Sequence, residues 1–236
     1  TTGKEIIAFE YDYAANFSSG LAQVSVNNKW GYIDIKGQEI IALCFDYAGE
    51  FIDGLAVVNK ENKWGFIDIT GKTVTPFIYD EKNTFYENLA QVKKDEKWGY
   101  INTAGKLIIP CIYEGSEVFS EGLASVKQDG KWGFVNQKGK LVIPCIYDMT
   151  GNFYEGLAEV RIKRKVSLIN LHGEPVTAKT YDIIEYFQDG LARVLKGDQW
   201  GFIDKTGKEI IVCSFNAVYN FISGLAGVER DGKWGF

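Results

Sequence analysis

The chain is poor in the residues on which catalysis and metal binding most often depend. Its 236 residues include one His, four Cys, four Pro and one Met. It has no Gly-x-Ser-x-Gly elbow, phosphate-binding Gly loop or His-Glu-x-x-His pattern. It also has no Cys-x-x-Cys pair and no Cys/His spacing suited to zinc. We therefore expect a protein that is not an enzyme and that holds no metal or other cofactor.

Long apolar runs and an excess of basic residues are also missing. No apolar run approaches the roughly 18 residues that a membrane-spanning helix needs. The net charge of −5 argues against a nucleic-acid partner, which would require a basic surface. The hydrophobic fraction of 46% and the mean hydropathy of −0.13 indicate a soluble, folded chain without membrane insertion. The preference for Lys over Arg suggests a bacterial source, and both a cytoplasmic location and secretion after processing stay open.

One pattern runs through the whole sequence. Trp recurs on a 34-residue grid, interrupted only by Val166, at Trp30, Trp64, Trp98, Trp132, Trp200 and Trp234. The Gly-Leu-Ala triplet keeps the same step, with Asn88 once in place of Gly. A fixed period of this kind predicts a single repeat domain over residues 1–236, in which each of seven units buries its apolar face on its neighbours.

The pattern within each copy predicts strands. In the second copy, apolar and polar residues alternate over Leu55–Lys60 and 64–69, and a third strand begins at 73–75, with 77–80 leading into an irregular segment. Asn27-Asn28 and Asp129-Gly130 are typical of tight hairpin turns. An Asp/Asn-x-x-Gly turn follows the second strand of each copy. Each copy therefore predicts a meander of at least three antiparallel strands.

The recurring signatures are Phe-x-x-Gly-Leu-Ala-x-Val and Lys-Trp-Gly-[Tyr/Phe]-Ile-Asp-x-x-Gly. With these signatures the chain resembles the WG-repeat, or KWG-repeat, family, which is found mainly in bacterial proteins. The fifth copy departs from the pattern, reading Lys165-Val166-Ser167-Leu168 where Lys-Trp-Gly-Tyr is expected. The resemblance implies a repeat scaffold and no particular chemistry.

Two assemblies of the seven units are compatible with the sequence. A closed seven-bladed β-propeller is favoured, because closure protects strand edges and because the chain ends are complementary in phase. In that arrangement the N-terminal strand, near Ile6-Ile7, would complete the last unit. An open β-solenoid is the alternative, since a cut through a longer array would give the same phasing.

Several recurring columns have structural interpretations. We expect the six Trp residues to be buried between sheets, with the Gly after each Trp allowing a neighbouring sheet to approach. The four Cys replace apolar neighbours and are expected to act as small buried hydrophobic residues. His172 is expected in a turn. The acidic column is expected to cap loops, since its spacing does not suit calcium: Asp12, Asp46, Asp80, Glu114, Asp148 and Asp182, with Asn216 in the seventh place.

The positions that differ between copies are the candidates for recognition, because variable loops on a rigid repeat scaffold commonly bind partners. They are the third residue after the repeat Gly, the Tyr residues near the Phe-x-x-Gly segment, and a basic cluster in the fifth copy. The candidate binding surface comprises Tyr13, Gln23, Tyr86, Gln91, Tyr154, Glu159, Arg161, Lys163, Arg164, Lys165, Tyr186, Arg193 and Tyr219.

These observations predict a non-catalytic repeat scaffold that presents variable loops for protein–protein recognition. Two alternatives stay open. The first is a glycan or cell-wall binding module, and the second is a structural spacer in a larger protein.

Overall fold

A computed structural model describes residues 5–52, 54–222 and 224–236, with the side chain of Thr84 excepted. The regular secondary structure of these residues consists of β-strands, arranged in seven antiparallel sheets. The chain forms two compact units, Thr1–Tyr113 with sheets one to three and Glu114–Phe236 with sheets four to seven. The predicted all-β repeat is confirmed. Within the described ranges, no helix is long and apolar enough to cross a membrane.

Each sheet of the first unit is a four-stranded meander in chain order. The strands are β1 (Tyr13–Ala14), β2 (Leu21–Val26), β3 (Lys29–Asp34) and β4 (Glu39–Phe45); β5 (Tyr47–Ala48), β6 (Leu55–Lys60), β7 (Lys63–Asp68) and β8 (Thr73–Tyr79); and β9 (Glu81–Tyr86), β10 (Leu89–Lys94), β11 (Lys97–Asn102) and β12 (Leu107–Tyr113).

The second unit repeats this arrangement in four sheets, of which the fifth and seventh sheets of the chain have three strands. The strands are β13 (Gly115–Ser116), β14 (Leu123–Gln128), β15 (Lys131–Asn136) and β16 (Leu141–Tyr147); β17 (Met149–Thr150), β18 (Leu157–Ile162) and β19 (Lys165–Asn170); β20 (Ile183–Ile184), β21 (Leu191–Lys196), β22 (Gln199–Asp204) and β23 (Glu209–Phe215); and β24 (Ala217–Val218), β25 (Val228–Arg230) and β26 (Lys233–Gly235).

The fourth strand of each copy was misplaced by the sequence pattern. Residues 77–80, predicted as an irregular segment, mostly belong to the end of β8. The additional strand precedes the Gly-Leu-Ala triplet instead, as β5 does in the second sheet. Because it is only two residues long in most copies, it leaves no alternation that a sequence pattern could reveal.

The turns follow their sequence signals. Asn27 and Asn28 both have positive φ, at 52° and 61°, as a type I′ hairpin requires. In the turn after β3, the Asp34 carboxylate accepts hydrogen bonds from the amides of Lys36 and Gln38 at 2.8 and 2.9 Å. Gly37 then takes a φ of 81°. These predicted turns are confirmed.

The Gly after each Trp allows a close approach between strands of the same sheet, not between two sheets. A Cβ built on Gly133 would lie 2.5 Å from the carbonyl oxygen of Ile143, which belongs to the next strand of the same sheet. The expectation of an approaching neighbouring sheet was wrong, because the ladder between β15 and β16 shifts register here and brings the two backbones together.

The fifth copy loses this close approach. Ser167 stands where Gly133 stands in the copy before, and Pro175, which has no amide hydrogen, stands in the following segment. The pairings Val166–Tyr181 and Ile169–Pro175 persist only as isolated bridges. Residues 175–181 therefore do not form the strand that corresponds to β16, and the fifth sheet has three strands.

The core is shared between consecutive sheets within each unit. One cluster combines Tyr32 and Phe45 of the first sheet with Phe51, Ala56 and Val58 of the second. Equivalent clusters join the second sheet to the third, the fourth to the fifth, the fifth to the sixth and the sixth to the seventh. Sheets therefore stack face to face, as the prediction of neighbour burial requires.

The indoles lie at the margin of these clusters. The rings two positions later, such as Phe134 and Phe202, are fully buried, whereas Trp132 and Trp200 are only half-buried. Trp234 is 51% exposed. Trp30, Trp64, Trp132 and Trp200 do pack against the clusters, as expected of structural residues. They are less buried than predicted because the Trp column lies next to the hairpin turn, at the edge of the sheet.

The cysteines and the N-terminal segment also modify the predictions. Cys44 is exposed, contrary to expectation, whereas Cys111, Cys145 and Cys213 are half-buried; all four are free thiols. The N-terminal residues 1–4 lie outside the described part of the chain, and residues 5–12 contain no strand. Completion of the seventh sheet by this segment therefore stays a prediction.

Because the Phe ring is more buried than the indole, substitution of the ring should cost more unfolding free energy than substitution of the indole. Phe202→Ala should cost about 3–5 kcal/mol of unfolding free energy, because it leaves a cavity in a fully buried cluster. Trp200→Ala should cost less, about 2 kcal/mol, because part of the indole is already in contact with water. Urea denaturation measures both, with Tyr186→Ala as an exposed control that should leave the midpoint unchanged. A larger loss for Trp200→Ala would contradict this account of the core.

Candidate binding site

Some of the predicted recognition residues of the fifth and sixth copies lie around one crevice in the second unit. It lies between the fifth sheet and the segment that leads into the sixth sheet, and its volume is about 900 Å³. Four predicted residues line it, namely Tyr154, Glu159, Arg161 and Tyr186. A volume of this size is typical of ligand sites in proteins.

An equivalent crevice lies between the second and third sheets and is nearly closed. Its volume is only about 30 Å³. Each of its seven lining residues has its counterpart, 102 positions later, in the lining of the large crevice. The repeat thus supplies its own comparison, in which one inter-sheet space is filled and the equivalent one is open.

A shorter side chain distinguishes the two crevices. Phe66 lines the small crevice, and its ring packs against Phe85 at a centroid distance of 5.3 Å. In the large crevice the equivalent residues are Leu168 and Phe187. Leu168 lacks the ring that every other complete copy has at this position, so Phe187 has no aromatic partner within the described ranges.

Two exposed tyrosines stand at the mouth of the large crevice. Tyr154 is 77% exposed and Tyr186 is 99% exposed. Phe153, below them, is buried against Phe134 at a centroid distance of 4.9 Å. The crevice therefore has an aromatic rim over an apolar floor, a combination that favours binding because aromatic rings bury large areas with few rotatable bonds.

The carboxylates of the crevice are each paired with a cation. The Arg161 guanidinium donates to Glu159 at 3.2 Å, and the Arg193 guanidinium donates through Nε to Glu185 at 2.8 Å. Lys205 pairs with Glu155. With its acids balanced in this way, the crevice does not select strongly for a charged ligand.

Two polar atoms in the wall of the crevice lack a protein partner. The hydroxyl of Thr150 and the Nε of Arg161 are shielded from solvent and have no hydrogen-bond partner among the described residues. Burying such groups is costly unless they are paired. Because both atoms are shielded, a molecule in the crevice does not reach them without a rearrangement of the wall.

The basic cluster of the fifth copy is divided by the fold. Arg161 faces the crevice, whereas Lys165 forms an ion pair with Asp182 of the next sheet. Lys163 and Arg164 form the hairpin turn, with φ of 48° and 69°. The four residues therefore do not make a continuous docking patch for an acidic partner.

The third residue after the repeat Gly faces the next sheet in several copies. Arg193 donates to the carbonyl of Val218 at 2.9 Å. With its amide oriented to match its neighbours, Gln23 donates to the carbonyl of Ala48 and accepts from the amide of Glu50. Gln91 is buried at 4% exposure and accepts a hydrogen bond from Asn83. This column therefore positions sheets, and Gln91 is removed from the candidate surface.

The remaining predicted tyrosines lie apart from the crevice. Tyr13 packs against Trp30 at a centroid distance of 5.1 Å, and Tyr219 stacks on Trp234 at 4.7 Å. Tyr86 is exposed at the end of β9. The sequence pattern missed Thr150, Leu168, Glu185 and Phe187. Leu168 lies inside the irregular fifth copy, so the signal was visible as a missing ring.

The acidic column caps hairpins, as predicted, and also joins sheets. Asp80 accepts a hydrogen bond from the amide of Asp95 at 2.9 Å, and it forms an ion pair with Lys63 of the preceding sheet. The same pairing recurs at Lys29–Asp46, Lys131–Asp148 and Lys165–Asp182. Among the described residues, no three His, Cys, Asp or Glu side chains gather as a metal site.

His172 lies in the predicted turn. Its amide donates to the Asn170 carboxamide oxygen at 2.9 Å, and its side chain is exposed. It does not line the crevice.

The chain belongs to the WG containing repeat family. The family model matches seven consecutive segments, residues 1–30, 30–64, 64–98, 98–132, 132–165, 167–200 and 200–234. The resemblance noted from the sequence is confirmed. The fifth and sixth matches leave out Val166, the position at which the Trp column is interrupted.

No curated protein matches the chain. Three solved structures show remote likeness. A eukaryotic initiation factor has a TM-score of 0.46 at 12% identity, over 89% of this chain and 68% of that one. Hsv2p of Kluyveromyces lactis has 0.40 at 11%, over 78% and 71%. BamB of Moraxella catarrhalis has 0.39 at 12%, over 92% and 80%. At TM-scores below 0.5 these likenesses do not define a shared arrangement of sheets.

The inter-sheet ion pairs predict a loss of stability in acid. The Lys side chains, together with the hairpin amides, hold the pKa values of Asp46, Asp80, Asp148 and Asp182 below their ordinary value. Because the folded-state pKa values are depressed, the contribution is complete above about pH 4 and is lost as pH falls through the folded-state values. The urea midpoint should therefore decrease below about pH 4.

A fourfold Asp→Asn variant at these positions is the matched control. Asn keeps the acceptor for the hairpin amide, as Asn216 does for Asp231 at 3.1 Å, but it does not titrate. Its urea midpoint should vary less between pH 5 and pH 2.5 than that of the parent. Equal pH profiles would show that these ion pairs contribute nothing.

Proposed function

We propose that the chain is a non-catalytic scaffold for protein recognition, with the crevice between the fifth and sixth sheets as its binding site. The observation that carries this proposal is that the crevice is open where Leu168 replaces the aromatic ring of the repeat, while the equivalent crevice beside Phe66 is nearly closed. An exposed pair of tyrosines at that opening, Tyr154 and Tyr186, supplies contacts suited to a peptide.

The absence of a catalytic role is part of the same proposal. The carboxylates at the crevice are engaged in ion pairs with Arg161, Arg193 and Lys205. A general acid or base needs an accessible proton at a reacting group, and the paired state does not favour that task.

A library of random linear dodecapeptides, displayed on phage and selected against the immobilised chain, tests the proposal. Enriched peptides should bind the parent and lose at least tenfold in affinity to the double variant Tyr154→Ser/Tyr186→Ser, because both rings are exposed anchors at the rim. Ile222→Ser is the matched control, since Ile222 is exposed at the position equivalent to Tyr154 two copies later.

Failure to enrich any peptide would contradict recognition of peptides, and so would enriched peptides that bind the double variant equally well. Glycan recognition is the second candidate, favoured by a row of rings at Tyr13, Trp30, Tyr47 and Trp64 with centroid distances of 5.1, 6.1 and 5.4 Å. A glycan array run beside the library would show saturable binding in that case.

We also propose that the seven sheets close into a β-propeller. Seven equal copies without insertions support this, as does the stacking of consecutive sheets within each unit. Small-angle scattering should then give a radius of gyration of about 18 Å, the value for a compact chain of this length. A straight stack with sheets about 10 Å apart would give about 22 Å or more and would favour the open solenoid and the spacer function.

A further inference from the structure

Ring pairs between sheets recur from copy to copy, and the fifth copy lacks one of the two rings. Across consecutive sheets, a ring on the second long strand packs against a Phe of the next sheet at centroid distances of 4.8 to 5.3 Å. The described pairs are Tyr32–Phe51, Phe66–Phe85, Phe134–Phe153 and Phe202–Phe221. Their interplanar angles lie between 54° and 68°, which is the tilted to edge-on geometry that aromatic pairs prefer.

The fifth copy has only half of this pair. Phe187 occupies the position of Phe51 and Phe85, while Leu168 occupies the position of Tyr32 and Phe66. Leu168 and Phe187 both contact the apolar cluster between the fifth and sixth sheets, and both line the crevice. The space that a ring fills in the other pairs is therefore open to a ligand here.

We infer that this space is a specific slot for an aromatic side chain of a bound peptide, which completes the missing pair with Phe187. This inference rests on the proposed peptide recognition and names the side chain that the site selects. We call the space between Leu168 and Phe187 the ring slot.

The charges near the slot agree with an uncharged ring. Glu159 and Glu185 are already paired with Arg161 and Arg193. A charged ligand side chain would displace one of these pairs, whereas Phe or Tyr does not. Selection therefore depends on shape and on burial of the ring.

The test uses three small probes on the full chain: N-acetyl-phenylalaninamide, N-acetyl-leucinamide and N-acetyl-alaninamide. Binding is followed by methyl NMR of the Leu and Ile side chains of the crevice. The phenylalanine probe should shift the methyl signals of Leu157, Leu168 and Ile184 saturably, with a Kd of about 1 mM, as expected for a ligand of this size. The leucine probe should bind at least fivefold more weakly, and the alanine probe should produce no saturable shift.

Two reciprocal variants make the assignment specific. Leu168→Phe supplies the missing ring from the chain itself, so it should abolish binding of the phenylalanine probe and raise the Tm by about 2 °C or more. Phe66→Leu should open the small crevice beside Phe85 and create a second binding site for the same probe. A Tm of Leu168→Phe at or above that of the parent shows that loss of probe binding is not loss of folding.

The outcomes separate the ring slot from the broader function. Equal binding of the leucine and phenylalanine probes, or unchanged binding to Leu168→Phe, would overturn the slot. If library peptides bind through Tyr154 and Tyr186 but tolerate Leu168→Phe, peptide recognition stands and the slot is wrong. If the phenylalanine probe binds as expected and no library peptide is enriched, the slot holds an aromatic group from another source and the proposed peptide function is wrong.

Discussion

The packing of one aromatic ring against a Phe of the following sheet is the interaction on which the structure depends. A single sheet of four short strands buries neither of its faces, so its apolar side chains must be covered by a neighbouring sheet. The fully buried rings at Tyr32, Phe134 and Phe202 join the first sheet to the second, the fourth to the fifth and the sixth to the seventh. The fifth copy, with Leu168 in place of the ring, is the exception to this pairing.

Such an interaction also determines where a binding site can arise. In a repeat array each interface is supported by its own set of contacts, so one interface can weaken without loss of the others. The fifth and sixth sheets keep a buried cluster that includes Val166, Tyr181 and Ile203, and they keep the Lys165–Asp182 ion pair. The shorter Leu168 opens a crevice beside these contacts and leaves the two sheets joined. The missing ring thus creates a local opening in a continuous scaffold.

The sequence predicted the features that depend on neighbouring residues. Hairpins at Asn27-Asn28 and turns such as Asp34-x-x-Gly37 are set by backbone preferences and by side-chain hydrogen bonds within a few positions, so the pattern was sufficient. The depth to which a side chain is buried, in contrast, does not follow from such local patterns. Alternation shows that Trp132 and Phe134 share a face, but only the register of the hairpin shows that the indole lies at its open edge. The crevice was visible as an irregular copy and not as a site, because its volume depends on two sheets at once.

Two kinds of contact hold consecutive sheets together: exposed Lys–Asp ion pairs at the hairpins and buried ring pairs in the core. The Lys–Asp pairs lie at the surface, where water and salt weaken an ion pair, and their main effect is to fix which hairpin lies beside which. The rings supply most of the burial energy but do not determine register, because apolar packing is not directional. The fifth copy keeps the register contact of Lys165 and loses the ring, so its crevice has a fixed geometry and an unfilled floor. A site with that combination is preorganised, and a ligand that enters it need not order the protein as it binds.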